Sequence, residues 1–483
     1  MRAKTIGSLL LLLSLPLAAV LLASSCSRKP AEAGGRALPA QAGLAELGGR
    51  PMRILVVPLG LPSGPVDLDK GGTEALWLEA MARRVAEAMG TGAEIRVAHP
   101  GDASPDTAFH GADVVVAPLQ GGGLDGWRRT ARLVPFWPMP GSPSRGPGVA
   151  WWAVARDKPI LAAAMADALS AALRDGGLAA ELDKVLGDGM AWRYFSSVGY
   201  DGILRAQYLE ISEAEEAWVR SRLSGGTGLR AAVREGNSFA YVPQPDGSVR
   251  GFDHDLLVAL ANSLGLGFEL TVVKDIGGFF TKDGVVPSDL GEADYDYTPD
   301  LLKRVDLYAN PFGVTPWRQR MMRMLTIYPI RNQLAGRRGE EVTAIGGLDR
   351  KRFAVIQDSV QQKTLEDFAG KRGLRFSFVY GANEDGLFDL VRKGKADYIL
   401  DGSVVFALNV DKLSDFGLSP FFSELQGVAW AVRKDDEVFA GIVSRFLDAS
   451  RTSGLLPALW QKTFRMDYES YVSAMMATGE SGE

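Results

Sequence analysis

The sequence predicts an α/β protein whose plan is written twice. Apolar runs of strand length, such as "MRILVVPLG" (52–60) and "ADVVVAPL" (112–119), alternate with stretches at helical spacing, such as "GTEALWLEAMARRVAEAMG" (72–90). "GVAWWAVARDKP" (148–159) and "GVAWAVRKDDE" (427–437) are nearly one string, and each precedes a long amphipathic stretch ending in an apolar cluster. At 483 residues the chain is long for a single domain and fits about three units of ~150 residues, or two larger ones.

The N-terminal segment reads as targeting rather than fold. Arg2 and Lys4 precede the apolar run "IGSLLLLLSLPLAAVLLA" (6–23), and "ASSC" ends at Cys26, the single cysteine. Small residues before a lone cysteine resemble the lipobox of bacterial lipoproteins, although Ala23 stands where leucine is commoner. That resemblance implies a signal peptide over 1–26 and lipidation at Cys26. The protein would then be periplasmic and held on a bacterial membrane by its N-terminal lipid. The other reading is an uncleaved anchor helix; Pro16 and the position of Cys26 favour cleavage. Residues 27–50, rich in Ala, Gly and charge, read as a flexible tether. One cysteine supplies no internal disulfide.

A first unit spans 51–190. Its strands are 52–60, 93–98, 112–119 and 148–155, and Gly90 stops the first helix. "GGGLDGW" (121–127) reads as a loop; no Lys-Ser/Thr follows the glycines, so a phosphate loop is not expected. Residues 159–187 are helical with a break at Gly176 and Gly177. A connector, 191–228, holds a charged helix over 208–223 and a "SGGTG" break. The plan restarts over 229–467, with strands at 229–233, 304–310, 352–358, 374–381, 396–404 and 427–435. "GFDHDLLVALANSLGLGFELTVV" (251–273) reads as helix, glycine stop, strand, and 437–464 as the closing helical stretch. The tail, 468–483, is polar and is expected to fray after 470.

Five ordered segments of the second unit resemble the periplasmic solute-binding proteins of the polar amino-acid type, family 3. They are "SFAYVPQPDGSVRGFDHDLLVALANSLGL", "VDLYANPFGVTPWRQR", "IGGLDRKRFAVIQDSVQQ", "LVRKGKADYILDGSVV" and "GVAWAVRKDDE" with "TSGLLPALWQKTF". The resemblance implies tandem periplasmic-binding-protein-like domains. The second would be a complete two-lobe type II fold, with lobe one over 229–330 plus 425–465 and lobe two over about 340–424. The first, with only about thirty residues between "ADVVVAPL" and "GVAWWAVA", would be truncated to one lobe. Trp127, Trp137, Trp151 and Trp152 would then fill its core, cover a sheet edge or pack on the second unit. The tandem plan is similar to the Venus-flytrap domains ahead of some bacterial sensor kinases.

The resemblance also implies a ligand site. Arg318, after "TPW", would clamp a carboxylate, since a planar guanidinium matches one through two parallel bonds. Thr315 would add a donor, Ser359 would meet the ligand from a helix start in lobe two, and Asp401 would take its ammonium. Asp401 lies one residue short of the usual spacing from Asp397, Gly236 and Asn237 stand where the family often places a stacking tyrosine, and Ser238 replaces its proline. Phe239 and Tyr241 would line the cleft or join the core.

Other function classes find little support. A net charge of −5 without a basic stripe gives no reason to expect nucleic acid. His99, His110 and His254 are not at metal-ligand spacing, and no metal or cofactor is expected; His254 reads as a surface residue. Neither G-x-S-x-G nor a cysteine nucleophile appears, so the leading expectation is not an enzyme. It is a binding protein for a small polar ligand, an amino acid or related carboxylate, serving an ABC permease or a membrane sensor. The alternatives are a dehydratase-like enzyme using Asp401 or Asp358, and an envelope scaffold that binds nothing.

Overall fold

The computed structural model describes residues 40–58, 73–99, 104–119, 124–142, 146–187, 189, 206–226, 228–235, 240–245, 249–288, 295–342, 345–357, 359–421 and 423–476. The signal segment, Cys26, Phe239 and Asp358 lie outside them.

The first unit runs α1 (Ala40–Ala45), β1 (Met52–Val56), α2 (Thr73–Ala88), β2 (Ala93–Val97), β3 (Val114–Leu119), α3 (Leu124–Thr130), β4 (Ala131–Ser142), β5 (Gly146–Ala155), α4 (Pro159–Arg174) and α5 (Gly177–Leu186). Its sheet has the order β2-β1-β3-β5-β4; β1 is parallel to β2 and β3, and β5 is antiparallel to β3 and β4. A linker helix, α6 (Glu213–Ser224), starts at a Ser212–Glu215 capping box.

The second unit opens with β6 (Leu229–Arg234), a small ribbon of β7 (Val242–Pro243) and β8 (Val249–Arg250), α7 (Phe252–Leu264), β9 (Phe268–Val273), β10 (Leu307–Gly313), α8 (Pro316–Met321) and β11 (Arg323–Ile330). The chain then crosses into a second lobe: β12 (Asn332–Arg337), β13 (Arg352–Val355), α9 (Val360–Arg372), β14 (Ser377–Tyr380), α10 (Glu384–Arg392), β15 (Tyr398–Gly402), α11 (Ser403–Leu408) and β16 (Phe416–Phe421). It returns through β17 (Gln426–Val432), α12 (Glu437–Thr452), α13 (Leu455–Phe464) and α14 (Tyr468–Met476). The two sheets are ordered β9-β6-β10-β17-β11 and β14-β13-β15-β12-β16.

All three sheets follow one pattern. A first strand lies between two parallel neighbours, and an antiparallel pair completes the sheet. The first unit is therefore one lobe, as the sequence predicts: its β4 turns straight into β5, whereas β11 and β17 are separated by the whole of lobe two. The repeated phrase is β5 and β17. Ala153 pairs with Val115, two residues after Asp113, and Ala431 pairs with Tyr308, two residues after Asp306. Trp152 and Trp430 thus occupy equivalent places, and both are buried. The helix break also recurs, since Gly176 and Gly454 take φ of 76° and 82° at the starts of α5 and α13, a region that favours glycine.

The same ion pair pins each sheet. Asp113, Asp306 and Asp397 precede β3, β10 and β15 and accept the backbone N–H of Arg53, Arg230 and Arg352 at 2.9, 3.0 and 2.8 Å. In lobes one and two the arginine side chain returns to the same carboxylate, at 2.8 Å for Arg230 and 2.6 Å for Arg352. In the first unit Arg50 takes that part, at 2.6 Å.

Cores form on both faces of the sheets. Phe439, Ile442, Val443, Phe446 and Leu447 of α12 are buried in the lobe-one core. Each such side chain contributes about 1.5–3 kcal/mol on burial, an upper range because the unfolded chain is partly collapsed.

Several expectations are corrected. Residues 124–127 are helical in α3, where Leu124 and Trp127 bury themselves, rather than loop. Residues 40–50 are docked rather than tethering: Leu47 is buried, and the Glu46 carboxylate accepts the N–H of Leu161 at 2.8 Å at the start of α4. Lobe two begins at Asn332, because β12 pairs with β15. The tail is helical to Met476, since Tyr468, Tyr471 and Met475 bury against lobe one. Among the described residues no helix is long and apolar enough to cross a membrane.

Candidate functional site

The two lobes turn matching edges toward the crossings between them. Gly313, at the carboxyl end of β10, pairs with Val428 at the start of β17, and Gly402, at the carboxyl end of β15, pairs with Asn332. In sheets of this kind ligands sit beyond the carboxyl ends of the parallel strands. Lobe one brings Thr315 and Arg318 there, just after β10; lobe two brings Ser359, just after β13, and Asp401, within β15.

Arg318 is 5% exposed, so its side chain does not reach bulk solvent. Its guanidinium carbon lies 4.9, 5.3 and 5.5 Å from the ring centroids of Trp317, Phe312 and Phe280. Ring faces attract a cation but do not neutralise it. Its Nη1 donates to the Gly313 carbonyl at 2.7 Å, while its Nε is buried without a partner among the described residues. No carboxylate pairs with it among those residues, and burial alone pulls its pKa down to about 10. Thr315 stands at the N-cap of α8, yet its hydroxyl makes no cap bond and is buried without a partner among the described residues. Lobe one therefore holds a dry, charged donor fork beside an unused hydroxyl.

In lobe two Ser359 caps α9, accepting the Gln362 N–H at 3.2 Å. Asp401 is buried and accepts from Gln361 Nε2 at 3.0 Å and from the Gly402 N–H at 2.8 Å. Gln361 thus joins the start of α9 to the end of β15.

Tyr241 packs on the lobe-one core, 6.2 Å and edge-on from His254. The expectation of a surface His254 is corrected. It is 4% exposed, 6.1 Å from the Phe268 ring, with Nδ1 3.3 Å from Asp255. Its apolar neighbours on α7 and β9 draw it inward. Beside it, Asp253 is wholly buried and accepts the Trp430 indole N–H at 2.6 Å. Burial pushes its pKa up to about 7, only partly offset by that bond. The tryptophan of the repeated phrase is thus tied to the first turn of α7. In the first unit Trp127 meets Phe109 edge-on at 6.2 Å, Trp152 tilts against Phe136 at 5.0 Å, and Trp151 reaches the second unit near Gly265. The side chain of Trp137 lies outside the described set.

No protein-family model matches the chain. It is similar to a membrane-bound lytic murein transglycosylase F of Saccharophagus degradans, 24% identical over 237 residues. The match covers 48% of this chain and 44% of that protein, so the chain spans less than half the length of this relative. Among solved structures it is similar to an ancestral amino acid-binding protein, a precursor of cyclohexadienyl dehydratase, at 19% identity and a TM-score of 0.40, over 51% of this chain and 99% of that one. It is also similar to an amino acid ABC transporter substrate-binding protein of Streptococcus pneumoniae bound to L-arginine, at 18% identity and a TM-score of 0.39, over 50% and 96%.

Sequence reading missed the rings around Arg318 and the Gln361–Asp401 bond. Phe280 comes from a short turn far upstream in the chain. Gln361 lies two residues beyond Ser359 and carried no signal of its own. Among the described residues no cluster of three or more His, Cys, Asp or Glu side chains could hold a metal ion.

Proposed function

We propose that the second unit is a solute-binding module that closes its two lobes on a small ligand bearing a carboxylate. The observation that carries this reading is Arg318: a buried cation with no acidic partner among the described residues, beside an unused Thr315 hydroxyl. An uncompensated buried charge costs several kcal/mol, and a ligand carboxylate offsets that cost with two parallel bonds. Asp401, at the facing edge of lobe two, supplies the opposite sign, which suits a zwitterion such as an α-amino acid. Ser359 and the start of α9 add donors. Closure buries the ligand between lobes and strengthens each polar contact.

The module acts as a binding protein rather than an enzyme. Cys26 carries a lipid that holds it on the periplasmic face of a bacterial membrane, and an ABC permease or a membrane sensor reads the closed form. Thermal melting of the chain against amino acids and small carboxylates tests binding. A ligand at 100 times its Kd adds about 2.7 kcal/mol, so a hit raises Tm clearly. Recovering the ligand unchanged after long incubation separates binding from a dehydratase-like reaction. A panel without any shift would leave the scaffold reading in its place.

A further inference from the structure

The first unit repeats the Trp-Arg pair in the same short helix. Trp127 and Arg128 lie in α3, between β3 and β4, as Trp317 and Arg318 lie in α8, between β10 and β11. Arg128 is 5% exposed, like Arg318, and stands 5.9 Å from the centroid of the Trp151 ring. The two differ in what meets them. Nη1 of Arg128 lies 3.2 Å from both Oε1 and Oε2 of Glu216 in the linker helix α6. Nη2 donates to the Leu264 carbonyl at the end of α7. Glu216 is itself buried.

We propose that Arg128 is the carboxylate-binding site of the first unit and that Glu216 fills it as a built-in ligand, latching the first unit to the second. α6 and the end of α7 meet Arg128 from outside the first unit. Glu216 is presented from a firm base: Glu215 of the same helix pairs with Arg445 at 2.9 Å, and Trp218 stacks on Phe439 at 4.4 Å. The joint is tight at Gly265, whose φ is +66°. A Cβ there would lie 2.9 Å from Leu124 Cδ1 and 3.6 Å from Trp151. A cavity of about 360 Å³ borders the pair, lined among others by Arg132, Arg156, Tyr208 and Ser263. It leaves room for a small carboxylate once the Glu216 side chain is cut back, and the orphaned buried cation would then recruit one.

Arg318 supplies only the starting comparison. The test reads Arg128 alone, so its outcome is independent of whether the second unit binds a solute. The full chain carrying Glu216→Ala is melted in acetate and in chloride of equal ionic strength. The expected result is a lowered Tm of which acetate restores at least half, a rise well beyond any that acetate gives the wild type or R128Q/E216A, both of which keep Arg318. An E216A response to acetate no larger than that of the wild type would overturn the proposal. If E216A does not fold, E216Q keeps the shape and loses the charge. Amide exchange over Glu213–Ser224 is then expected to quicken at least tenfold, and unchanged exchange would overturn it equally.

Discussion

Arg318 carries the cost of a buried charge. Its guanidinium is desolvated among rings, and no acid balances it among the described residues. Replacing a buried ion pair by apolar groups of similar volume is often stabilising, by about 1–4 kcal/mol, and a lone buried cation carries its desolvation cost without the compensating partner. Arg318→Met is therefore expected to raise the ligand-free Tm by a few degrees while abolishing any ligand-induced shift; a fall in the ligand-free Tm would contradict the site. Asp253 makes a second prediction at this scale. Its folded pKa, about 7, stands above the unfolded value of ~3.9. The folded state then holds more protons between these values, so the group's contribution is full below about pH 4 and is lost as pH rises to about 7. Asp253→Asn is expected to flatten the fall in Tm between pH 4 and 7, read by melting across pH; an unchanged slope refutes the assignment.

At the scale of elements, the Arg–Asp pins are the recurring device. Burial alone would raise the pKa of Asp113, but the Arg50 side chain and the Arg53 backbone N–H outweigh it and hold it at about 2. The sign is opposite to that of Asp253: this stability is present above about pH 4 and fades as pH falls toward 2. Asp113→Asn is expected to lower Tm at pH 7 by several degrees and to make little difference near pH 2. An equal loss at both pH values would show a packing effect instead.

The parallel strands and their helices were legible because each is a continuous apolar run or a helical repeat closed by glycine. The antiparallel strands β4, β11, β12 and β16 were not. Pro135 and Pro138 interrupt β4, Pro329 β11 and Pro420 β16, and β11, β12 and β16 find their partners across the chain, β11 on β17 and β12 between β15 and β16, rather than in the next strand in sequence. Arg318 and Thr315 stood out through the resemblance of "TPWR". The phrase "GWRR" around Arg128 carried the same signal in weaker form, but its partner Glu216 is set by tertiary packing.

For the whole molecule, three lobes of one pattern perform two tasks. Lobes one and two of the second unit share the proposed ligand, and the first unit is latched by its own chain. α14 braces the rear of the crossing, where the Tyr471 hydroxyl bonds the Pro329 carbonyl of lobe one at 2.9 Å and lies 3.0 Å from the Ser403 hydroxyl of lobe two. Tyr471→Phe removes both bonds. It is expected to expand the ligand-free chain in small-angle scattering while leaving the saturated form compact; identical radii for mutant and wild type without ligand would contradict that role.

The central claim is that a ligand carboxylate neutralises Arg318. Titration calorimetry of the best-binding amino acid against its carboxamide tests it most directly, in the wild type and in Arg318→Met. The wild type is expected to favour the carboxylate at least thirtyfold, in line with about 2–5 kcal/mol for a buried charged pair, and R318M is expected to erase that preference. Equal binding of acid and amide by the wild type, or a preference that survives in R318M, would contradict the account.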